Sequence, residues 1–164
     1  MKQAQGNQMV NENGNEKANV FKARISRHLL FNALNAAVAL CRRSPKEASK
    51  LIIELSECLL YTSEEKTGFV SLQDELEFVR SYLYIQSVRY GKRLQVEYHI
   101  ECEPQGRIPQ YAVYSVLEDM FRNKLMKTRA NVTITIVVSC LDGEIAVTVM
   151  DSEGTSETIY TTNQ

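Results

Sequence analysis

A single Ser-Pro step between two long amphipathic segments constrains the fold of this chain more than any other feature. The first segment covers residues 20 to about 43, and the second covers residues 45 to about 61. Ser44 suits a helix-capping position, Pro45 suits the first helical position, and Glu47 completes a capping box. Because so short a connection turns the chain back on itself, the sequence predicts an antiparallel helical hairpin.

Each predicted helix carries a broad apolar stripe at helical spacing. The stripes consist of Leu30, Leu34, Ala37, Val38 and Cys41 in the first helix and of Ala48, Leu51, Ile52, Leu55, Cys58 and Leu59 in the second. Both cysteines in these stripes are predicted to be buried thiols. Two helices alone bury little surface, so we expect the hairpin to pair with a second copy as a dimeric four-helix bundle. The alternative is a monomer in which the hairpin packs on the later part of the chain.

The second half alternates between helical and strand patterns. A helix capped by Ser71 is expected to reach Tyr90, where Gly91 ends it, and a further helix is expected over about 110–126. Alternating apolar residues predict three strands, over 94–100, 132–138 and 145–149. Asp142-Gly143 is a good two-residue turn between the last two strands. This order predicts an α+β sandwich that contains an antiparallel hairpin.

Composition excludes several classes of protein. Hydrophobic residues make up 44% and charged residues 24% of the 164 residues, as in globular domains. A net charge of −1 gives no reason to expect a nucleic-acid partner. No apolar run approaches the roughly 20 residues of a membrane span, so we expect a cytoplasmic chain. The four cysteines are scattered without a C-x-x-C pair, which argues against a zinc site.

One of the two histidines, His28, lies on the first predicted helix. Asn32 and Asn35 follow it at the i+4 and i+7 positions, so the three side chains share one helix face. A histidine presented beside polar neighbours can act as a nucleophile toward a phosphoryl group. Taken alone, the same pattern also describes a solvated polar stripe opposite a buried one.

Four ordered segments resemble the LytS-type sensor histidine kinases over about residues 21–154. The segment H-L-L-F-N-A-L-N at 28–35 is similar to the family's P-H-F-L-F-N-x-L-N phosphoacceptor box. Residues 72–94 fit the pattern L-x-x-E-L-x-x-x-x-x-Y-L-x-I-Q-x-x-R-x-x-x-R-L. The sequence L-E-D-M-F-R-N at 117–123 stands where the family has V-E-N-A-I-K-H, and M-D-S-E-G at 150–154 stands where it has D-N-G-x-G.

The resemblance implies a histidine-bearing helical region followed by a GHKL-type ATPase fold, with ATP and Mg²⁺ as cofactors. His28 is then the phosphoacceptor, and Glu118 is the residue that polarises the attacking group. The implied cofactor-binding residues are Asp119, which is also the metal ligand, together with Asn123, Asp151 and Gly154. In the family the counterpart of Asp151 contacts the adenine amino group.

The chain departs from the family pattern at the nucleotide site. Asp119 replaces the asparagine that holds Mg²⁺, and Glu153 stands where a glycine lets the backbone approach the nucleotide. The family's later glycine box has no counterpart before residue 164. We therefore expect a degenerate, C-terminally truncated ATPase-like fold in which ATP-dependent autophosphorylation is impaired. Near the histidine, Ser26-Arg27 replace N-P, and Arg27 is a candidate to attract phosphate.

These inferences predict a two-component signalling module with three regions. They are a disordered lead-in at 1–19, a histidine-bearing dimerisation hairpin at 20–63 and a degenerate ATPase-like domain at 64–164. Its expected partners are a response regulator receiver domain, a second copy of the chain and an upstream membrane sensor segment. Besides an active autokinase, two other functions stay open: a histidine phosphotransferase, and a non-catalytic dimerisation or regulatory pseudokinase.

Overall fold

The computed structural model describes residues 25–63, 68–127, 129–141 and 144–161. Over these residues the chain forms four α-helices and six strands, with a 3₁₀ turn at Gly91–Arg93 and a π-helical turn at Phe121–Leu125. The elements in chain order are α1 (Arg27–Arg43), α2 (Pro45–Ser63), β1 (Phe69–Ser71), α3 (Leu72–Tyr90), β2 (Leu94–Ile100), β3 (Arg107–Pro109), α4 (Ala112–Met120), β4 (Val132–Leu141), β5 (Glu144–Asp151) and β6 (Ser156–Tyr160). The predicted lead-in at 1–19 and the predicted turn at 142–143 lie outside the described residues.

Helices α1 and α2 are separated by one residue and pack against each other. Ser26 caps α1, since its hydroxyl oxygen accepts a hydrogen bond from the Leu29 amide at 3.1 Å. At the other end the Ser44 amide donates to the Leu40 carbonyl at 2.8 Å, and Pro45 begins α2 at once. A capped start and a proline stop thus fix the length of α1.

The apolar stripe predicted for α1 divides between two faces of the helix. The buried face is centred on Leu29, Ala33 and Ala37. The outward face carries the exposed side chains of Phe31, Leu34, Val38 and Cys41. The prediction of a buried Cys41 thiol is therefore wrong, whereas Cys58 on α2 is fully buried as expected. Most side chains of the apolar stripe predicted for α1 are therefore exposed in the single chain.

The main sheet has four strands in the order β2-β4-β5-β6 and is mixed. Strand β2 runs parallel to β4, and the pairs β4–β5 and β5–β6 are antiparallel. Strands β1 and β3 form a separate two-stranded pair that the sequence patterns did not predict. Strand β6, which pairs with β5, was also not among the predicted strands. The chain is thus an α+β fold with a mixed sheet.

The helices stack on this sheet in layers. Helix α3 contacts β2, helix α4 contacts β5 and β6, and the α1–α2 hairpin packs on α3. Core side chains from the hairpin, from α3 and α4 and from the sheet belong to one continuous buried cluster. Among the described residues, no helix is both long enough and apolar enough to cross a bilayer. This layering brings the start of α1 close to the ends of α3 and α4.

Candidate functional site

His28 is exposed in the first turn of α1, directly after the capped helix start. The side-chain amide nitrogen of Asn32 lies 3.2 Å from Nδ1 and 3.4 Å from Nε2 of the imidazole. Rotating the amide by 180° exchanges its nitrogen and oxygen, so Asn32 can donate a hydrogen bond to a ring nitrogen or accept one from a ring N–H. The i+4 partner predicted from the sequence therefore orients the histidine ring.

A cleft of about 190 Å³ opens beside His28. Its lining comes from the start of α1, the last part of α3, and α4 with the π-helical turn that follows it. The polar and charged lining residues are Ser26, His28, Tyr82, Gln86, Arg89, Tyr90, Glu118 and Arg122. Of the residues predicted for the site, this cleft brings together His28 and Glu118, which come from α1 and α4.

Glu118 is the acidic residue of this cleft. Its carboxylate lies 3.7 Å from an Arg122 guanidinium nitrogen, one helical turn away, and the Arg122 side chain is 66% exposed. At that distance and exposure the ion pair is weak, so the Arg122 guanidinium can also contact another anion. Arg27, the arginine next to the histidine in sequence, does not line the cleft.

One face of α3 supplies the wall opposite His28. Tyr82, Gln86 and Arg89 follow one another at i, i+4 and i+7, so their side chains share that face. The Gln86 amide nitrogen donates to the Tyr82 hydroxyl at 2.9 Å, and both residues are buried. Oxygen Oε1 of Gln86 is buried without a hydrogen-bond partner among the described residues. The Y-L-x-I-Q-x-x-R spacing could have predicted that these three side chains share a helix face. It could not have predicted that this face lines a cleft beside His28.

The N-terminal end of α3 anchors α4 through a buried carboxylate. Glu75 is fully buried and accepts hydrogen bonds from the Tyr61 hydroxyl at 2.5 Å and from the backbone amides of Tyr111 at 2.9 Å and Tyr114 at 3.4 Å. Burial raises the pKa of Glu75, although these donors oppose the shift. A carboxylate at a helix N-terminus satisfies amides that have no partner within the helix. Glu75 thereby ties α2 and α4 to α3.

A second polar cluster surrounds Asp151 at the end of β5. Oxygen Oδ1 accepts hydrogen bonds from the backbone amides of Glu153 at 2.9 Å and Thr155 at 3.0 Å, and Oδ2 lies 2.5 Å from the Lys124 ammonium. Lys124 also contacts the Glu153 carboxylate at 2.8 Å and donates to the Thr155 hydroxyl at 2.8 Å. Burial alone would raise the pKa of Asp151, but the hydrogen bonds from Lys124 and the amides outweigh it and lower the pKa.

The remaining predicted residues lie apart from the His28 cleft. Asp119 and Asn123 are exposed near the C-terminal end of α4, and Asn123 accepts a hydrogen bond from Lys127 at 3.4 Å. Gly154 has a positive φ of 88° in the turn after β5, a conformation that suits glycine. Within the described residues, no group of three His, Cys, Asp or Glu side chains could hold a metal ion. Asp119 therefore belongs to no such group of three ligands among the described residues.

Comparison with known proteins relates this chain to sensor histidine kinases. A family model described as histidine kinase matches residues 16–94. The sensor histidine kinase BtsS of Escherichia coli strain K12 is 35% identical over 102 residues, which cover 62% of this chain and 18% of BtsS. YpdA of the same strain is 30% identical over 132 residues, and the sensor protein LytS of Enterococcus faecalis is 28% identical over 136 residues. Both alignments cover 80% of this chain and 23% of the relative.

This chain carries a LytS-type histidine kinase module. It spans about a fifth of the length of the curated relatives it matches. Among solved structures, the histidine kinase ThkA in complex with the response regulator TrrA aligns over 84% of this chain and 47% of its own, with 16% identity and a TM-score of 0.39.

Sequence reasoning missed two sets of residues that shape the LytS-type module. Arg89 and Arg122 lie far from His28 in sequence but line its cleft. Lys124 carries no signal of its own in the sequence, yet it contacts the Asp151 carboxylate. These residues were missed because their partners come from segments that meet only in the folded chain. His28 and Glu118, by contrast, were predicted from local motifs.

Proposed function

We propose that this module carries a phosphoryl group on His28 and exchanges it with the receiver domain of a response regulator. The observation that carries the proposal is the cleft that His28 shares with Glu118 and two arginines. His28 is exposed at a helix start, so a partner domain can approach its imidazole. In the transfer, the bond between phosphorus and the receiver breaks and a P–N bond to the imidazole forms. The proton lost by the ring passes to a base, a role that Glu118 can fill.

We propose further that ATP-dependent autophosphorylation is impaired in this chain. In the family arrangement, the counterpart of Asp151 accepts a hydrogen bond from the adenine amino group. Here both oxygens of Asp151 are engaged, one by two backbone amides and the other by Lys124. An adenine amino group would have to displace the Lys124 ammonium, and Glu153 adds a side chain on the same side of the turn. The residues present therefore do not fit an ATP site of the family type.

The residue at the implied Mg²⁺ position, Asp119, also argues against ATP binding. Asp119 is exposed and lies outside any described cluster of potential metal ligands. A carboxylate in place of the family's asparagine adds negative charge beside any nucleotide phosphates, which disfavours their approach unless a cation screens it. We therefore propose a phosphotransfer role that does not depend on Mg²⁺ and ATP bound to this chain.

A receiver domain labelled with [³²P]phosphate tests the transfer. After incubation with the protein, label that is acid-labile and alkali-stable is expected on the wild-type chain and on the His99→Gln variant, but not on His28→Gln. His99 is a matched control because it is also exposed, on β2, and lies outside the cleft. Equal labelling of the two variants would contradict the assignment of His28.

Calorimetric titration with Mg²⁺ and ATP tests the second proposal. We expect no heat of binding at millimolar ATP for the wild-type chain. The Lys124→Ala variant frees one oxygen of Asp151, so any recovered ATP binding should appear in that variant. The double variant Lys124→Ala/Asp151→Asn should lose the recovered ATP binding again. ATP binding by the wild-type chain, with label reaching His28 from ATP, would instead support an active autokinase.

A homodimer is favoured by the surface of the hairpin. Seven of the twelve exposed large hydrophobic side chains among the described residues lie on α1 and α2, namely Phe31, Leu34, Val38, Ile52, Ile53, Leu59 and Leu60. Such a concentration on one supersecondary unit is typical of an interface. We propose that the hairpin of a second copy covers this apolar surface. A non-catalytic dimerisation module, the other function left open by the sequence, would require the same arrangement.

Sedimentation velocity of the Leu34→Glu variant tests the dimer. Leu34 is 44% exposed, so a charge there leaves the fold of the single chain intact while opposing association. Leu55 is unsuitable for this purpose because it is buried in the core of the chain. We expect a dimeric wild-type chain and a monomeric, folded Leu34→Glu variant. A monomeric wild-type chain at micromolar concentration would refute the proposal.

A further inference from the structure

The cleft beside His28 is positively charged apart from one carboxylate. Arg89 comes from α3 and Arg122 from the turn after α4, and Glu118 supplies the negative charge. A phosphoryl group on histidine brings a charge of about −1.5 to −2 at neutral pH, close to that of other phosphorylated side chains. Two guanidinium groups and one carboxylate thus leave a net positive charge to meet that group.

Each arginine is placed to respond to an anion. The Arg89 guanidinium carbon lies 4.9 Å from the centre of the Tyr90 ring, which restricts the side chain to the region of the cleft. Among the described residues, Arg122 contacts only the Glu118 carboxylate, at 3.7 Å, and its side chain is largely exposed. Guanidinium groups form paired hydrogen bonds with phosphoryl oxygens, and this favours arginine over lysine at such a position.

An unpaired buried amide points to the same ligand. Gln86 is 5% exposed, and its Oε1 has no partner among the described residues, while its nitrogen donates to Tyr82. A 180° rotation of the amide lets the oxygen accept the Tyr82 hydroxyl proton and turns the nitrogen toward the unpaired position. A phosphoryl oxygen would then accept from that nitrogen and remove the cost of an unpaired buried group.

We propose that Arg89 and Arg122 bind the phosphoryl group carried by His28, so that α3 builds a phosphohistidine-binding site. The cleft volume of about 190 Å³ suits a phosphoryl group, since it lies below the roughly 300 Å³ at which pockets for larger ligands begin. This inference rests on the proposed function, because it requires a phosphoryl group on His28. It gives the Y-L-x-I-Q-x-x-R segment of α3 a role in binding.

Chemical phosphorylation separates the two proposals. Phosphoramidate transfers its phosphoryl group to exposed imidazoles, with release of ammonia, and needs neither ATP nor a receiver domain. Both exposed histidines are expected to react, and the variants His28→Gln and His99→Gln assign the two ³¹P NMR signals. A pH titration then gives the phosphoryl pKa at each site, with phosphohistidine 99 as the internal control.

We expect the phosphoryl pKa at His28 to lie about 1 pH unit below that at His99, because nearby cations favour the dianion. In Arg89→Gln and in Arg122→Gln the difference should shrink, whereas Arg43→Gln, at the opposite end of α1, should leave it unchanged. Equal pKa values at the two histidines, or no response to either cleft variant, would overturn the inference. Failure of receiver labelling with a retained pKa difference would instead count against the proposed function alone.

A second, independent feature lies at the far end of the sheet. Strands β2 and β4 are parallel, with Ile100 opposite Val138, and the Glu101 amide donates to the Val138 carbonyl at 2.9 Å. Cys102 and Cys140 each lie two residues beyond this last register pair, and burial together with the neighbouring Cys140 thiol raises the pKa of the Cys102 thiol. Cys140 is exposed and Cys102 is half-buried, so both are reached from solvent. Neighbouring strands lie about 4.8 Å apart, within the range of Cα separations that a disulfide spans.

We infer that Cys102 and Cys140 are a peroxide-sensitive dithiol. Hydrogen peroxide oxidises one thiol to a sulfenic acid with release of water, and the second thiol attacks that sulfur, closing the S–S bond and releasing a second water. Cross-strand disulfides at an exposed position are readily reduced again, which suits a reversible modification. The bond would join β2 to β4 beyond the ladder that already links them.

Thiol alkylation followed by peptide mass spectrometry tests the dithiol. After peroxide treatment we expect a linked peptide pair containing Cys102 and Cys140, which dithiothreitol separates again. Cys41 is the matched control, being exposed without a partner thiol among the described residues. In Cys102→Ser the remaining thiol should instead form a sulfenic acid. Alkylation of both residues under conditions that oxidise Cys41, or only intermolecular disulfides, would overturn the inference.

Discussion

Removing the Glu75 carboxylate should destabilise the chain more than any change on the solvent side of α3. Glu75→Ala takes away the acceptor used by the Tyr61 hydroxyl and by the backbone amides of Tyr111 and Tyr114. Losing a buried acceptor costs about 1–3 kcal/mol for each well-formed bond, and two of these three bonds are short. Relief of the buried charge offsets part of this loss, because burial raises the pKa of Glu75. We expect a net loss of about 2–4 kcal/mol, against a typical total of 5–15 kcal/mol.

Urea unfolding followed by circular dichroism measures this loss. The control is Glu77→Ala on the same helix, where the exposed side chain makes only a surface hydrogen bond with Gln73. That variant should stay within about 0.5 kcal/mol of wild type. Tyr61→Phe should cost about 1 kcal/mol, and the double variant with Glu75→Ala should cost less than the sum of the two. A Glu75→Ala cost equal to that of Glu77→Ala, or strict additivity with Tyr61→Phe, would refute the reasoning.

Three further predictions concern pH and backbone conformation. Since the pKa of Glu75 is raised from its ordinary value of 4.5, its contribution to stability falls as pH rises through the folded-state pKa, and Glu75→Gln should remove this fall in urea midpoints measured upward from pH 4.5. Since the pKa of Asp151 is lowered from 3.8, Asp151→Asn should lower the melting temperature at pH 7, and the gap to wild type should narrow as pH falls below 3.8. Gly91 ends α3 with φ 55° and ψ −134°, so Gly91→Ala should cost about 1–3 kcal/mol in urea unfolding, whereas neighbouring Lys92→Ala should not.

The local elements could be predicted because their signals are local. Helix α3 begins after Ser71, whose hydroxyl accepts from the Asp74 amide at 3.0 Å, and ends at Gly91, as capping and glycine rules require. Strand β2 was predicted with its observed bounds from alternation alone. The helix expected over 110–126 is shorter, because regular α-helix ends at Met120 and a π-helical turn follows. Short pairs such as β1 with β3 were missed, since three residues carry too little periodicity.

The face that each helix buries was harder to predict. On α1 the apolar residues cover more than one face, and periodicity does not say which face meets α3. The structure buries Leu29, Ala33 and Ala37 and leaves Phe31 and Val38 outside. Small side chains on the buried face allow close packing of the hairpin, whereas the larger ones stay exposed in the single chain.

By itself the sequence determined where the chain turns, where most helices and strands begin and end, and that His28 belongs to a histidine kinase motif. These are properties of short stretches, set by capping residues, a proline and side-chain periodicity. Only the tertiary structure brought Arg89 and Arg122 to His28, set Lys124 against Asp151 and paired the strands that lead to Cys102 and Cys140. Those contacts join residues from distant elements, and their geometry follows from the parallel pairing of β2 with β4 and the packing of the hairpin on α3, which no local pattern encodes.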